Sequence, residues 1–211
     1  MGAAVLAGFV YQIWFCYRPA SIAKSVVKTM SIAMLVLFAI WFNAPSLLIM
    51  GLSFCALGDL LLSRDTERFF LLGLIAFAIG HVFYILLFLV HPMSDPSILI
   101  ANPWNLVAIV LIIFGMVMAK TLWPASGDLR MPVMLYITII MLMGLSAVGL
   151  NANGPHIVFF GALMFIVSDT ILSVEMFLLP KAHVMRRVTA MLVWAFYWLA
   201  QATILVGIVI L

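Results

Sequence analysis

Charge is what this chain of 211 residues has least of: Asp, Glu, Lys and Arg make up 8% of it, where a soluble domain carries roughly 25%. A chain that is 67% hydrophobic, with a mean hydropathy of +1.32, cannot cover a water-facing surface and reads as an integral membrane protein. The net charge of +3 is therefore not a nucleic-acid signal; its meaning lies in where the charges fall. Cysteine is nearly absent too. Cys16 and Cys55 both lie in apolar stretches, which argues against a disulfide framework and for small core residues. No Walker loop, glycine-rich dinucleotide fingerprint or GxSxG nucleophile motif occurs, so the chemistry those motifs carry has no support. The N-terminal MGAAVLAGFV has no basic residue before its apolar run and reads poorly as a cleavable signal, and Leu6 stands where a myristoylation motif wants Ser or Thr.

Long hydrophobic runs are what the chain does have. Cutting at charges, prolines and asparagines leaves eight, at 3–17, 26–42, 45–63, 69–90, 104–120, 131–150, 156–179 and 188–211. Most approach the ~20 residues a spanning helix needs, so the expectation is one all-α transmembrane domain over 1–211, a polytopic bundle of eight transmembrane helices. Connections such as NAP at 43–45 and NANGP at 151–155 leave no room for a soluble domain. Every basic residue falls between runs 1 and 2 (Arg18, Lys24, Lys28), 3 and 4 (Arg64, Arg68), 5 and 6 (Lys120, Arg130) or 7 and 8 (Lys181, Arg186, Arg187). Under the positive-inside rule that face is cytoplasmic and both termini lie outside, in the inner (plasma) membrane of a bacterium. Trp41, Trp104 and Trp123, near run ends, fit interfacial anchoring.

Two runs stand out because each buries an aspartate, and an ionisable group at membrane depth is costly and marks a functional site by default. GLSFCALGDLLLS at 51–63 and GALMFIVSDTILS at 161–173 share a glycine eight residues before the aspartate, a small residue just before it, and Leu-Ser three and four residues after. Asp59 and Asp169 are thus matched, and with 110 residues between them the halves 1–100 and 101–211 read as a parallel four-helix duplication. The bland alternative is an aspartate that fixes helix packing through hydroxyl groups.

At ~1.5 Å per residue, Asp59 lies roughly 7 Å inside the basic boundary and Asp169 deeper. Lys28 and Tyr136 reach levels like that of Asp59, and Tyr197 and Gln201, one turn apart, share a face. Lys28 is expected either to pair with an aspartate or headgroup or to snorkel to the interface. Tyr84, Tyr136 and Tyr197 either pack or line a pocket. Glu175, on another face from Asp169 and nearer the boundary, reads as a surface charge at headgroup level. His81 is the one histidine deep in a run and reads first as a satisfied core group. His91, His156 and His183 lie near run ends, so no histidine cluster calls for a zinc site; no metal and no cofactor is expected.

These residues come in an order and spacing that resemble the YhhN family: Lys28, Gly58-Asp59 with Leu62, Gly80-His81-x-x-Tyr84, Pro132-Val133-x-x-Tyr136, Gly161-Ala162-x-x-Phe165-x-x-Ser168-Asp169 and Tyr197-x-x-Ala200-Gln201. The resemblance covers nearly the whole chain except run 1, where no motif is found. It implies an eight-helix membrane hydrolase of the lysoplasmalogenase kind, which cleaves the vinyl ether bond of a lysoplasmalogen to a fatty aldehyde and glycerophosphoethanolamine or glycerophosphocholine. Asp59 and Asp169 are then the catalytic pair, with Lys28, His81, Tyr84, Tyr136, Ser168, Tyr197 and Gln201 as substrate-binding candidates. The implied partners are a lysophospholipid and the surrounding membrane lipids, with no nucleic acid; the sequence does not fix the oligomeric state. Vinyl ether hydrolysis needs one neutral acid and one anion around an oxocarbenium ion, the division of labour two carboxylates perform in glycosidases. Asp169, without an obvious cation, is expected to keep its proton, and Asp59, level with Lys28, to stay ionised. The rival class is a proton-coupled small-molecule or lipid transporter using the same carboxylates; a lipid-binding scaffold without turnover is a third reading, one that leaves the paired aspartates unexplained.

Overall fold

Ser21 and Thr66 set the starts of two helices that hydropathy alone places too late. The Ser21 hydroxyl accepts a hydrogen bond from the Lys24 amide (3.2 Å) and the Thr66 hydroxyl one from the Phe69 amide (3.4 Å), the side-chain capping that a helix N-terminus needs. A computed structural model describes residues 1–64, 66–151 and 156–210, without the side chains of Asn151 and Ile210; most of the expected 151–155 connection lies outside the described residues. The described residues are helical, with no strand. They form α1 (Gly2–Val10, prolonged by a π-helical turn at Tyr11–Phe15), α2 (Ile22–Trp41), α3 (Ser46–Leu62), α4 (Glu67–Val90), α5 (Trp104–Leu122), α6 (Arg130–Val148), α7 (His156–Phe177) and α8 (Arg186–Ile210).

Six of these helices are long and apolar enough to cross a membrane; Gly2–Phe15 and Ser46–Leu62 are apolar but shorter. The protein is thus a polytopic helical membrane protein. The short α3 follows from its entry turn. Asn43 adopts φ 52°, its amide bonds back to Ile40 and the Ala44 amide to the Ala39 carbonyl. That is a Schellman closure of α2, with asparagine in the left-handed region that few non-glycine residues visit. Pro45 then begins α3 at once.

The most extensive helix pairings are α3 with α4 and α7 with α8. Both depend on a glycine. A Cβ at Gly51 would stand 2.7 Å from the Tyr84 ring; one at Gly161 would stand 2.7 Å from the Ile204 side chain and 3.1 and 3.2 Å from backbone atoms of Ile204 and Ala200. Helix backbones come this close only where a side chain is missing. On the outside, α5 exposes Leu106, Ile109, Val110, Ile113, Met116 and Val117, an apolar surface suited to lipid.

Candidate active site

Helix register brings Asp59 and Asp169 to the wall of one cavity of about 1040 Å³, to which all eight helices or their immediate extensions contribute. Asp59 lies one turn before the end of α3 and is 1% exposed. One of its oxygens is 2.9 Å from the Lys28 ammonium, and the other accepts a 2.7 Å hydrogen bond from the Tyr197 hydroxyl. Lys28, entering from the second turn of α2, is used here as an ion-pair partner. A buried charge needs such a partner: removing one member of a buried pair typically costs 3–5 kcal/mol. An aromatic wall backs the pair, with Tyr11 against Trp194 (ring centroids 4.3 Å apart), Trp194 against Tyr197 (5.7 Å) and the Lys28 ammonium 6.0 Å from the Trp194 ring.

Asp169 has different company. The Tyr136 hydroxyl donates to one of its oxygens, and no cation pairs with it among the described residues. A carboxyl with one hydroxyl donor, among apolar walls, is far cheaper to hold protonated than charged. In its protonated form such a carboxyl has one O–H to donate.

Of the nine residues singled out from sequence, six line the cavity: Lys28, Asp59, Tyr136, Ser168, Asp169 and Tyr197. Ser168 also bonds across to α8, its hydroxyl donating to the Val193 carbonyl (3.0 Å). His81, Tyr84 and Gln201 are fully buried and not among the lining residues. The Tyr84 hydroxyl donates to Gln201 (2.5 Å) one turn beyond Tyr197, and the His81 ring, bonded through Nδ1 to the Phe77 carbonyl (2.6 Å), stacks edge-on against Tyr136 and Phe165. They stand behind the wall and support the residues that form it.

Glu175 corrects the sequence reading. Its side chain is 15% exposed, lines the cavity, accepts from the Thr189 hydroxyl and pairs with Arg186 (3.7 Å). The end of α7 is wrapped by the cavity, so two of its faces, not one, turn inward. Tyr11 and Trp194 were missed altogether. Both look like ordinary aromatic packing in a sequence this apolar, and only the convergence of α1 and α8 on Lys28 gives them a place. The cavity is also lined by the apolar side chains of Phe114, Met118, Ile137, Ile140, Met141 and Ile166, and by Arg18, Lys24, Arg64, Lys181 and Arg186 from the α1–α2, α3–α4 and α7–α8 connections and the helix starts beside them.

Fold and site together define an integral membrane protein with an internal cavity lined by basic and apolar side chains and by two carboxyl groups with unlike partners. The profile of the YhhN family matches residues 23–208, and the chain belongs to that family. It is similar to human lysoplasmalogenase TMEM86A, at 26% identity over 207 residues, covering 90% of this chain and 80% of the human protein. No solved structure matches it.

Proposed function

We propose that the protein is a membrane-embedded hydrolase that cleaves the vinyl ether bond of a lysoplasmalogen-like lipid, with Asp169 as general acid and Asp59 as base. The observation that carries this reading is the unequal treatment of two carboxyl groups on one cavity wall: Asp59 holds a cation and Asp169 only a hydroxyl. Family membership and the similarity to a lysoplasmalogenase support the reaction type. The cavity suits the substrate, since its lining combines basic residues for a phosphate, apolar side chains for an alkenyl chain and the two aspartates for the linkage.

In the proposed reaction Asp169 gives its proton to the alkene carbon remote from oxygen, and the resulting oxocarbenium ion is held by the negative charge of Asp59. Water adds to the cation as Asp59 takes one of its protons, forming a hemiacetal. Asp59 then returns that proton to the departing glycerol oxygen while Asp169 accepts the hemiacetal hydroxyl proton, releasing the aldehyde with both carboxyl groups restored. Lys28 holds Asp59 charged before each turnover, and Tyr197 fixes its plane.

The same reading treats α1 and α3 as spans despite their length, which makes eight, with basic loops in the cytoplasm and both termini outside. It also takes the two halves as a duplication. Gly51 packs on α4 as Gly161 packs on α8, and Lys28 and Tyr136, each the seventh residue of its helix, serve the aspartate of the helix that follows.

The test is aldehyde release from a lysoplasmenyl-ethanolamine by the purified protein, beside Asp59→Asn and Asp169→Asn and with a chelator present. Release that survives the chelator and is lost in both variants supports the proposal. A folded protein that forms no aldehyde but moves protons across liposomes would replace it with the transporter reading.

A further inference from the structure

Among the described residues the cavity lining contains six cations and four carboxyl groups, and ion pairs and hydrogen bonds engage most of the carboxyl groups. Lys28 is committed to Asp59 and Arg186 to Glu175. Asp169 is occupied by Tyr136 deeper in the wall. The Lys24 ammonium is turned onto the Cys16 and Arg18 carbonyls (3.2 and 2.7 Å). Among the described lining residues this leaves Arg18, Arg64 and Lys181 with one further carboxylate, Glu67; all four are exposed, and none of the three cations has a carboxylate partner there. Arg18 is already held in place, its guanidinium 4.8 Å from the Trp14 ring centroid. The three cations come from three different connections, so their presence in the lining of one cavity is a product of the fold and not of a local basic run.

Positive charge on this face is expected of any membrane protein, but that rule does not distinguish cavity residues from their neighbours. Arg68 and Arg187 lie beside Arg64 and Arg186 in the chain and do not line the cavity. The distinction matters for headgroups. An ammonium-bearing zwitterion brings its own cation into a lining that already has an excess of them, whereas a phosphomonoester or phosphoglycerol brings only the charge the lining lacks. Arginine also matches phosphate oxygens with paired donors.

Resting on the hydrolase reading, we propose that Arg18, Arg64 and Lys181 form the phosphate-receiving site of the cavity and select single-chain lipids whose headgroup carries net negative charge over zwitterionic ones. Binding of non-hydrolysable 1-alkyl lipids of one chain length tests this independently of turnover, with thermal shift in detergent as readout and glycerophosphate, glycerophosphoglycerol and glycerophosphoethanolamine as headgroups. The expected result is tighter binding of the two anionic lipids, by roughly tenfold, the effect of two or so partly exposed charge contacts. The preference should shrink in raised salt. It should disappear in Arg64→Gln/Lys181→Gln and persist in Arg68→Gln/Arg187→Gln, which removes the same charge from the same face. Equal affinity for all three lipids would overturn the proposal, as would an unchanged preference in the first double variant. Stabilisation by inorganic phosphate equal to that by the alkyl lipids would assign the cations to a soluble anion and overturn it as well. If the anionic preference holds while no vinyl ether lipid is cleaved, the failure is that of the hydrolase reading and not of the headgroup site.

Discussion

Asp59 and Asp169 occupy corresponding points of α3 and α7, each beside a small residue, and each receives a side chain from the second turn of the preceding helix. That side chain is Lys28 in one case and Tyr136 in the other. The two settings match in helix position and differ in the residue type that meets the carboxyl group: a lysine makes its aspartate half of an ion pair, and a tyrosine gives its aspartate a hydroxyl donor, with no cation among the described residues. On the proposed mechanism, helix placement sets where a proton transfer occurs, and the second-turn residue sets its direction.

The comparison breaks most completely at the proton donor. Asp169→Asn is expected to lower turnover by 10²–10⁴-fold, the range a positioned general acid contributes, with the thermal transition little changed because the amide still accepts from Tyr136. Single-turnover aldehyde release beside a melting curve checks this; near-normal release would exchange the roles of the two aspartates. Lys28→Met strikes the other half by stability. It leaves Asp59 buried without its cation, at a cost of about 3–5 kcal/mol, and Lys28→Met/Asp59→Asn should recover most of that loss without recovering activity. Denaturation of both variants in one detergent decides it.

Smaller effects come from packing in both halves. Gly161→Ala and Gly51→Ala should each cost about 1–3 kcal/mol, since the added methyl meets Ile204 and the backbone of α8 in the first and the fully buried Tyr84 ring in the second. Melting shifts of the two variants check this, and an unchanged transition in either would contradict it. A comparable effect at Tyr197 and a smaller one at Tyr136 come from the pair Tyr136→Phe and Tyr197→Phe. Each loses one hydrogen bond to a carboxyl group, worth about 1.5–3 kcal/mol where that group is charged and about 0.5–1.5 where it is neutral. Tyr197→Phe should therefore cost more stability than Tyr136→Phe, and the reverse order would contradict the assignment of charge.

Much of this was legible in the chain. The helices follow from hydropathy, and their starts deviate where Ser21 and Thr66 cap turns containing charged residues, because a cut at charges discards an amphipathic first turn. Both aspartates were visible as charges where charge is costly, and Lys28, Tyr136 and Tyr197 as polar groups at the same level. What stayed hidden depends on contacts between helices distant in sequence. Tyr84 and Gln201 pair across 117 positions behind the wall, and Glu175 faces inward because the cavity curves around α7. Depth along a helix is readable from residue counts; facing is not, when most residues on every face are apolar.

The most direct measurement of the central claim is the isotopic content of the aldehyde formed in D2O and trapped at once by reduction, for the wild-type protein and Asp169→Asn. If Asp169 protonates the alkene carbon, the wild-type product carries one deuterium on the carbon next to the former carbonyl, and the variant yields almost no product. Aldehyde without that deuterium, or labelled aldehyde formed equally well by the variant, would contradict the account.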